Sequence, residues 1–381
     1  MIPRLLSTPI RQKLFRQKAI IILGPRQVGK TTILKELSFN KEEIHWMNAD
    51  EFDIQQMLSE FTSGGIKAML GNKKILIIDE AQRVENIGLK LKIITDNLAD
   101  VQVIATGSSS FELANRINEP LTGRKWEYNL FPLSYQEMVQ HHGLLEENRL
   151  LAHRMVYGYY PEIVTNPGEA EERLKLISHS YLYKDVLHWE RIHKSDKLVR
   201  LLQALAHQIG SHVSFHELGG ICGLDAKTVE KYVHLLEQAF VIFRLPSFSR
   251  NLRNELKSSR KIYFYDNGVR NAILNNFSPV SLRNDVGFLL ENFLVSERVK
   301  FNANNLLNKN SFFWRTVNQQ EIDLIEEYGG NLHAYEFKWN ASKKVKLTKT
   351  FKNAYADATF EVITPLNVHE FLLPPQEGSY F

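Results

Sequence analysis

Five consecutive apolar residues, Ala19-Ile20-Ile21-Ile22-Leu23, run directly into Gly24-Pro25-Arg26-Gln27-Val28-Gly29-Lys30-Thr31, and a helical stretch follows from Lys30 to about Phe39. Strand, glycine loop and helix in that order fit the phosphate-loop pattern G-x-x-x-x-G-K-S/T at every defined position. Few folds accept it: the strand must lie buried in a parallel sheet with its carboxyl end open to a ligand. Glycines let the main chain wrap round phosphate oxygens without a Cβ clash. The loop N–H groups and the helix N-terminus then face the anion. Lys30 supplies a point charge to the β- and γ-phosphates, and the Thr31 hydroxyl is placed to ligate Mg2+. Gly24, Pro25, Arg26, Gln27, Val28, Gly29, Lys30, Thr31 and the adjoining Thr32 are therefore the expected ATP-binding set.

A second motif supports the first. Ile75-Leu76-Ile77-Ile78 is an apolar strand that delivers Asp79 and Glu80 to its carboxyl end. Asp79 is expected to hold Mg2+, directly or through water, and Glu80 to polarise the attacking water. The next strand, Val101 to Ala105, ends in Thr106-Gly107-Ser108-Ser109. In ATPases with an extra strand between the loop strand and the Asp-Glu strand, a polar residue here senses the γ-phosphate, and Thr106 or Ser108 fits. Arg124, with Arg116 as a competitor, is the candidate arginine for transition-state charge, in cis or in trans. Asn48 and Asp50 follow another short strand, Ile44 to Met47, and could line the site. Trp126 to Leu130 is a fifth strand candidate.

Composition bounds the rest. The 381 residues suggest two or three folding units, and Lys plus Arg (47) barely exceed Asp plus Glu (43), so any basic surface must be local. One cysteine, Cys222, excludes an intramolecular disulfide and a cysteine metal cluster, as in a reducing compartment. No apolar run approaches the roughly 20 residues of a membrane span, and no signal peptide is read, so a cytoplasmic protein without membrane contact is expected. The adjacent His141 and His142 fall on different faces of a helix and are expected to be exposed.

Gly-Pro-Arg-Gln-Val-Gly-Lys-Thr, Ile-Asp-Glu-Ala-Gln, Thr-Gly-Ser-Ser and Leu-Thr-Gly-Arg, in that order, resemble the prokaryotic AAA-type ATPases that carry a C-terminal domain of unknown function. The resemblance spans nearly the whole chain. It implies an AAA-like core, a lid, a winged helix and a nuclease-like tail.

The residues beyond Pro132 have their own signals. Ser134 with Glu137 is a capping-box pair, and mostly helical sequence follows to about Ile192, broken at Gly158–Pro161 and Asn166–Gly168. Ser214 with Glu217, a Gly223-Leu224 turn and a helix opened by Asp225 form a helix-turn-helix pattern. Strands Val241–Leu245 and Lys261–Tyr265 could form a wing, whose loop carries Arg250, Arg253, Lys257, Arg260 and Lys261 against Glu255, a charge suited to phosphate contacts. Packing or subunit contact is the alternative use.

In the tail, Asp323 lies on one strand and Glu336-Phe337-Lys338 on the next, beyond a Gly329-Gly330 turn. Alternation places Glu336 and Lys338 on one face. The set resembles the PD-(D/E)xK nuclease site: Asp323, Glu336 and the helical Glu291 would bind Mg2+, and Lys338 would orient water or steady phosphate. The following Lys343, Lys344, Lys346, Lys349 and Lys352 could track a nucleic-acid backbone. A hairpin with alternating charge on its wet face remains the alternative.

The expected fold is α/β: a parallel-sheet P-loop ATPase core (residues 1–132), a helical lid (133–195), a winged helix (196–265) and a restriction-endonuclease-like α/β domain (266–381). Two functions follow. One is ATP hydrolysis controlling action on DNA, possible cleavage included. The other is a nucleotide-dependent switch, or protein-interaction module, with a catalytically inactive tail. Self-association is expected if Arg124 acts in trans.

Overall fold

The computed structural model describes residues 1–37, 40–60, 63–108, 117, 120–189, 195–249, 260–316, 318–343 and 345–375. Ser109, Arg116, Arg250, Arg253, Glu255, Lys257 and Lys344, named above, lie outside them. The chain divides into two compact units. The first is Met1–Pro132 with Gln238–Phe240, and the second is Leu133–Glu237 with Val241–Phe381.

The first unit is built on a five-stranded parallel sheet. Its strands are β1 (Ala19–Leu23), β2 (Ile44–Asn48), β3 (Ile75–Asp79), β4 (Gln102–Gly107) and β5 (Lys125–Asn129), in the order β2-β3-β4-β1-β5. β1, β3 and β4 are buried along their whole length, which is why their central residues read as apolar runs rather than as alternating ones. β4 lies between the glycine-loop strand and the Asp-Glu strand. The carboxyl ends of β1 and β3 thus share one edge, a strand's width apart on either side of β4.

The second unit begins with helices Tyr135–His142, Leu144–Arg149, Leu151–Tyr157, Pro161–Thr165 and Ala170–Trp189. Both bonds of the Ser134–Glu137 capping box are present. His141 is exposed, but His142 is a correction: its Nε2 lies 2.7 Å from Oε2 of the fully buried Glu147, because the short helix that follows turns Glu147 back under the ring.

Next come helix Ser195–His207, β6 (His212–Val213), helices Phe215–Cys222 and Ala226–Gln238, β7 (Ile242–Pro246) and β8 (Arg260–Phe264). The three strands pair antiparallel in the order β6-β8-β7. Ser214 accepts from Glu217 N at 3.3 Å, and Asp225 accepts from Thr228 N at 3.0 Å, so both helix starts are capped by the residues the sequence marks.

The tail combines helix Val286–Asn304 with β9 (Asn310–Arg315), β10 (Glu321–Tyr328), β11 (Asn331–Phe337) and β12 (Thr359–Ile363), in the order β12-β11-β10-β9. β10 pairs antiparallel with β9 and β11, and β11 pairs parallel with β12. A bulge between Ile322 and Ile325 lets both, three positions apart, join one apolar cluster with Phe312, Trp314, Leu332, Ala334 and Phe351. On the helix side the fully buried Glu326 accepts both Nε and Nη2 of Arg298, and this pairing docks helix Val286–Asn304 on β10.

Candidate functional site

The glycine loop is shaped by contacts only glycine permits. A Cβ on Gly24 would meet the Leu130 carbonyl oxygen at 2.1 Å, and Gly29 sits at φ +94°. Below the loop, Arg4 is nearly buried and bridges two carbonyls, Val28 O at 2.6 Å and Phe131 O at 2.7 Å. Nothing near Arg4 in the sequence marks this role. Lys30, 5% exposed, donates to Gly24 O and Pro25 O, each at 3.0 Å. Its amine is thereby held over the loop.

The Asp-Glu pair arrives at the same edge. Thr31 Oγ1 donates to Asp79 Oδ2 at 3.0 Å, and Thr106 Oγ1 donates to Asp79 Oδ1. The Glu80 main-chain N–H then donates to Thr106 Oγ1 at 3.1 Å. Glu80 stands at φ 53°, a left-handed conformation that costs a non-glycine residue about 1–3 kcal/mol. Its carboxylate is 3.9 Å from Lys30 Nζ and accepts from Gln82 Nε2 at 2.6 Å, and Gln82 also donates to Ser108 Oγ at 2.8 Å. Burial alone would raise the Glu80 carboxyl. Lys30, Gln82, Arg26 and Ser108 outweigh it and hold the pKa below the ordinary glutamate value. The ionised form is favoured.

Thr31 and Asp79 thus offer two hard oxygen donors side by side, the donor chemistry Mg2+ takes. Ser108 reaches the site through Gln82. Thr106 sets the orientation of Asp79 and Glu80. Thr32 lies beside Gly29, its Cβ 3.7 Å from where a Gly29 Cβ would stand. Asn48 is in register with Asp79 across β2 and β3, whereas Asp50 points to Arg83 at 3.4 Å. Gln82, two residues past Glu80, has no role in the sequence reading; its proximity in the motif was the available signal.

Arg124 is not in this group. Its carbonyl accepts from Ala19 N at the amino end of β1, while the glycine loop leaves the carboxyl end. The five residues of β1 separate the two by about 16 Å at roughly 3.3 Å per residue. Arg124 Nε instead bonds Asp96 at 2.6 Å. A cis role on this chain's own nucleotide is therefore set aside.

The tail assembles a second cluster of acids and lysines. Ladder pairing of β10 with β11 stops at Leu324 and Tyr335, and the Asp323 carboxylate takes the next N–H, Phe337 N, at 2.8 Å. Lys338 Nζ bonds Glu336 Oε1 at 2.7 Å. Glu291, from helix Val286–Asn304, accepts Tyr263 OH at 2.7 Å and Lys261 Nζ at 2.9 Å. Lys261 also pairs with Glu321, and Arg315 reaches Glu321 at 3.5 Å. Burial first, then Asp323, pushes the Glu291 carboxyl up, against Lys261 and Tyr263. Burial likewise raises Asp323 and Glu336.

Glu291, Asp323, Glu336 and Lys338 are thus brought into one field. Lys261 sits among them, and this corrects its reading as a basic wing residue: it is 1% exposed and faces carboxylates. A divalent ion needs oxygens at roughly 2.0–2.6 Å, but the Lys261 ammonium already holds the carboxylates of Glu291 and Glu321. Here an ammonium neutralises the carboxylates of Glu291 and Glu321. Among the described residues, no group of three or more His, Cys, Asp or Glu is placed to hold a metal ion.

Family models match three stretches of the chain: an AAA domain over residues 16–139, a domain of unknown function (DUF8612) over 148–280, and another (DUF4143) over 286–370. An uncharacterized protein of Mycobacterium tuberculosis is 24% identical over 354 residues, 91% of this chain and 76% of its own. An uncharacterized protein of Methanocaldococcus jannaschii is 25% identical over 378 residues, 93% of this chain and 82% of its own. Among solved structures, the Walker-type ATPase of Pyrococcus abyssi superposes with a TM-score of 0.52 at 15% identity, covering 72% of this chain and 96% of that one, a likeness of fold. No helix among the described residues is long and apolar enough to cross a membrane. The chain carries an AAA-type P-loop domain and, C-terminal to it, a DUF4143 domain.

Proposed function

We propose that residues Gly24 to Thr32 hold the triphosphate, that Thr31 and Asp79 hold Mg2+, and that Glu80 is the general base for hydrolysis. The observation that carries this reading is the Thr31 hydroxyl 3.0 Å from the Asp79 carboxylate, with the adjacent Glu80 carboxylate 3.9 Å from Lys30 Nζ. The water oxygen bonds to the γ-phosphorus, the bond to the bridging oxygen of ADP breaks, and the water proton passes to Glu80. Bound Mg2+ would neutralise charge on the β- and γ-oxygens. Gln82 and Ser108 position the Glu80 carboxylate. Arg124, remote from its own chain's loop, would act on a neighbouring subunit's nucleotide in a homo-oligomer. Thr31→Ala and Asp79→Asn test the assignment: each is expected to abolish Mg2+-dependent ATP turnover, and unchanged turnover in both removes it.

We propose DNA as the partner that this turnover serves. Helix, strand, two helices and two antiparallel strands follow the order of a winged helix. Lys227 and Lys231 are exposed there with the half-buried Arg260 beside them, and Lys343, Lys346, Lys349 and Lys352 are exposed in the tail. Glu230 interrupts the first group, so contacts to phosphate rather than base reading are expected. ATP turnover with and without duplex DNA is the test. Several-fold stimulation that fades as salt rises supports DNA. No DNA effect, together with ATP-dependent binding of a protein, supports the switch with an inactive tail, the reading that Lys261 among the tail carboxylates favours.

A further inference from the structure

We propose that Lys261 is the resident cation of the tail: its ammonium holds Glu291, one of the carboxylates a nuclease of PD-(D/E)xK type would offer a metal ion, and it keeps the wild-type tail free of divalent metal. The inference rests on the geometry of the second cluster and not on the nucleotide site.

Three observations carry it. First, Lys261 is 1% exposed, and its Nζ contacts Glu291 at 2.9 Å and Glu321 more closely still. A buried ammonium persists only when acceptors satisfy it, and here carboxylates from a helix and a strand do so. Second, the carboxylates are already committed. Glu291 takes the Tyr263 hydroxyl at 2.7 Å, Asp323 takes Phe337 N at 2.8 Å, and Glu336 takes Lys338 at 2.7 Å. The four acids Glu291, Glu321, Asp323 and Glu336 face Lys261, Lys338 and Arg315, which leaves little surplus negative charge for a divalent ion. Third, the space around Lys261 and Glu291 is crowded. Gly210, at φ +68°, brings its backbone so near that a Cβ there would meet the Glu291 carboxylate at 3.2 Å, and the Phe313 ring centroid lies 5.6 Å from Lys261 Nζ.

Lys261 belongs to β8, a strand of the β6-β8-β7 sheet, and not to the Glu-x-Lys hairpin, where Lys338 stands. The tail's cation is therefore supplied from outside the nuclease-like hairpin. The DUF4143 stretch and β8 are expected to fold as one piece, held by this charge contact.

The test is a count of bound Mn2+ by electron paramagnetic resonance on the full-length, nucleotide-free protein. Wild type and Asp323→Asn are expected to bind the same number of Mn2+ ions. One more ion on wild type than on Asp323→Asn overturns the proposal, and this arm stands whether or not other variants fold. In Lys261→Met, which keeps the chain length and removes the charge, one additional Mn2+ per chain is expected. Its melting temperature should lie below that of wild type and rise by several degrees with Mn2+, while that of wild type does not move. A folded Lys261→Met that gains no ion and shows no Mn2+ response also overturns the proposal. If Lys261→Met fails to fold in either condition, the wild-type comparison decides. Mn2+-dependent nicking of DNA by wild type that disappears in Asp323→Asn is a further contrary result.

Discussion

The two clusters use the same residue types and differ in what satisfies them. At the glycine loop, the Lys30 amine is held by main-chain carbonyls and stays 3.9 Å from Glu80, while hydroxyls and an amide orient Asp79 and Glu80. In the tail, Lys261 contacts Glu291 and Glu321 directly. The first pair is the looser one, its lysine also held by main-chain carbonyls, whereas the second is in direct contact. Lysine near paired carboxylates is therefore not a catalytic signature by itself; the partners of the lysine decide.

Stability should separate the clusters most strongly. Lys261→Met strands buried carboxylates and is expected to cost about 3–5 kcal/mol in urea unfolding. Lys30→Met leaves main-chain carbonyls and a partly exposed Glu80 behind, and a smaller loss is expected. Equal losses would remove the distinction.

Glycine substitutions give the next effect. The Cβ of Gly24→Ala would lie 2.1 Å from the Leu130 carbonyl oxygen, so the loop must shift, and ATP affinity should fall about tenfold or more. Gly210→Ala, at φ +68° and against Glu291, should destabilise the fold by about 1 kcal/mol with ATP affinity unchanged. Equilibrium binding of a fluorescent nucleotide and thermal melts measure the two.

Arg124 sharpens the comparison from another side. Turnover per chain is expected to rise with protein concentration, and Arg124→Ala should remove that rise while leaving nucleotide affinity within about twofold. Full activity at high dilution would assign Arg124 to its ion pair with Asp96 alone.

The smallest effect concerns pH. The Glu80 carboxyl is held below its ordinary value of 4.5, so its ionised form is retained as pH falls past that point and is lost only through the lower folded pKa. Gln82→Ala removes one of the contacts that lower it, and the acid limb of the turnover profile should move to higher pH. A limb that stays in place means Gln82 does not act on Glu80.

The sequence discloses the first unit well because its information is local. An apolar run, a glycine pattern and an Asp-Glu pair each sit within a few residues, and the central residues of parallel strands buried on both faces read as apolar stretches. Arg4 and Lys261 escape because their partners are remote in sequence: Arg4 reaches Phe131, and Lys261 reaches Glu291 and Glu321. Lys261 beside Arg260 looks like one more surface cation until β8 turns it inward. The bulge in β10 is equally invisible, since strict alternation would place Ile322 and Ile325 on opposite faces. His142 escapes for the same reason as Lys261, as burial of Glu147 is a property of packing.

The account is tested most directly by steady-state ATP turnover of Glu80→Gln and Asp323→Asn measured side by side. Glu80→Gln is expected to bind ATP normally and to lose turnover by about a hundredfold or more, the range of general-base removal. Asp323→Asn is expected to keep turnover within about twofold of wild type. Full turnover in Glu80→Gln, or its loss in Asp323→Asn, would contradict the assignment of catalysis to the glycine-loop cluster.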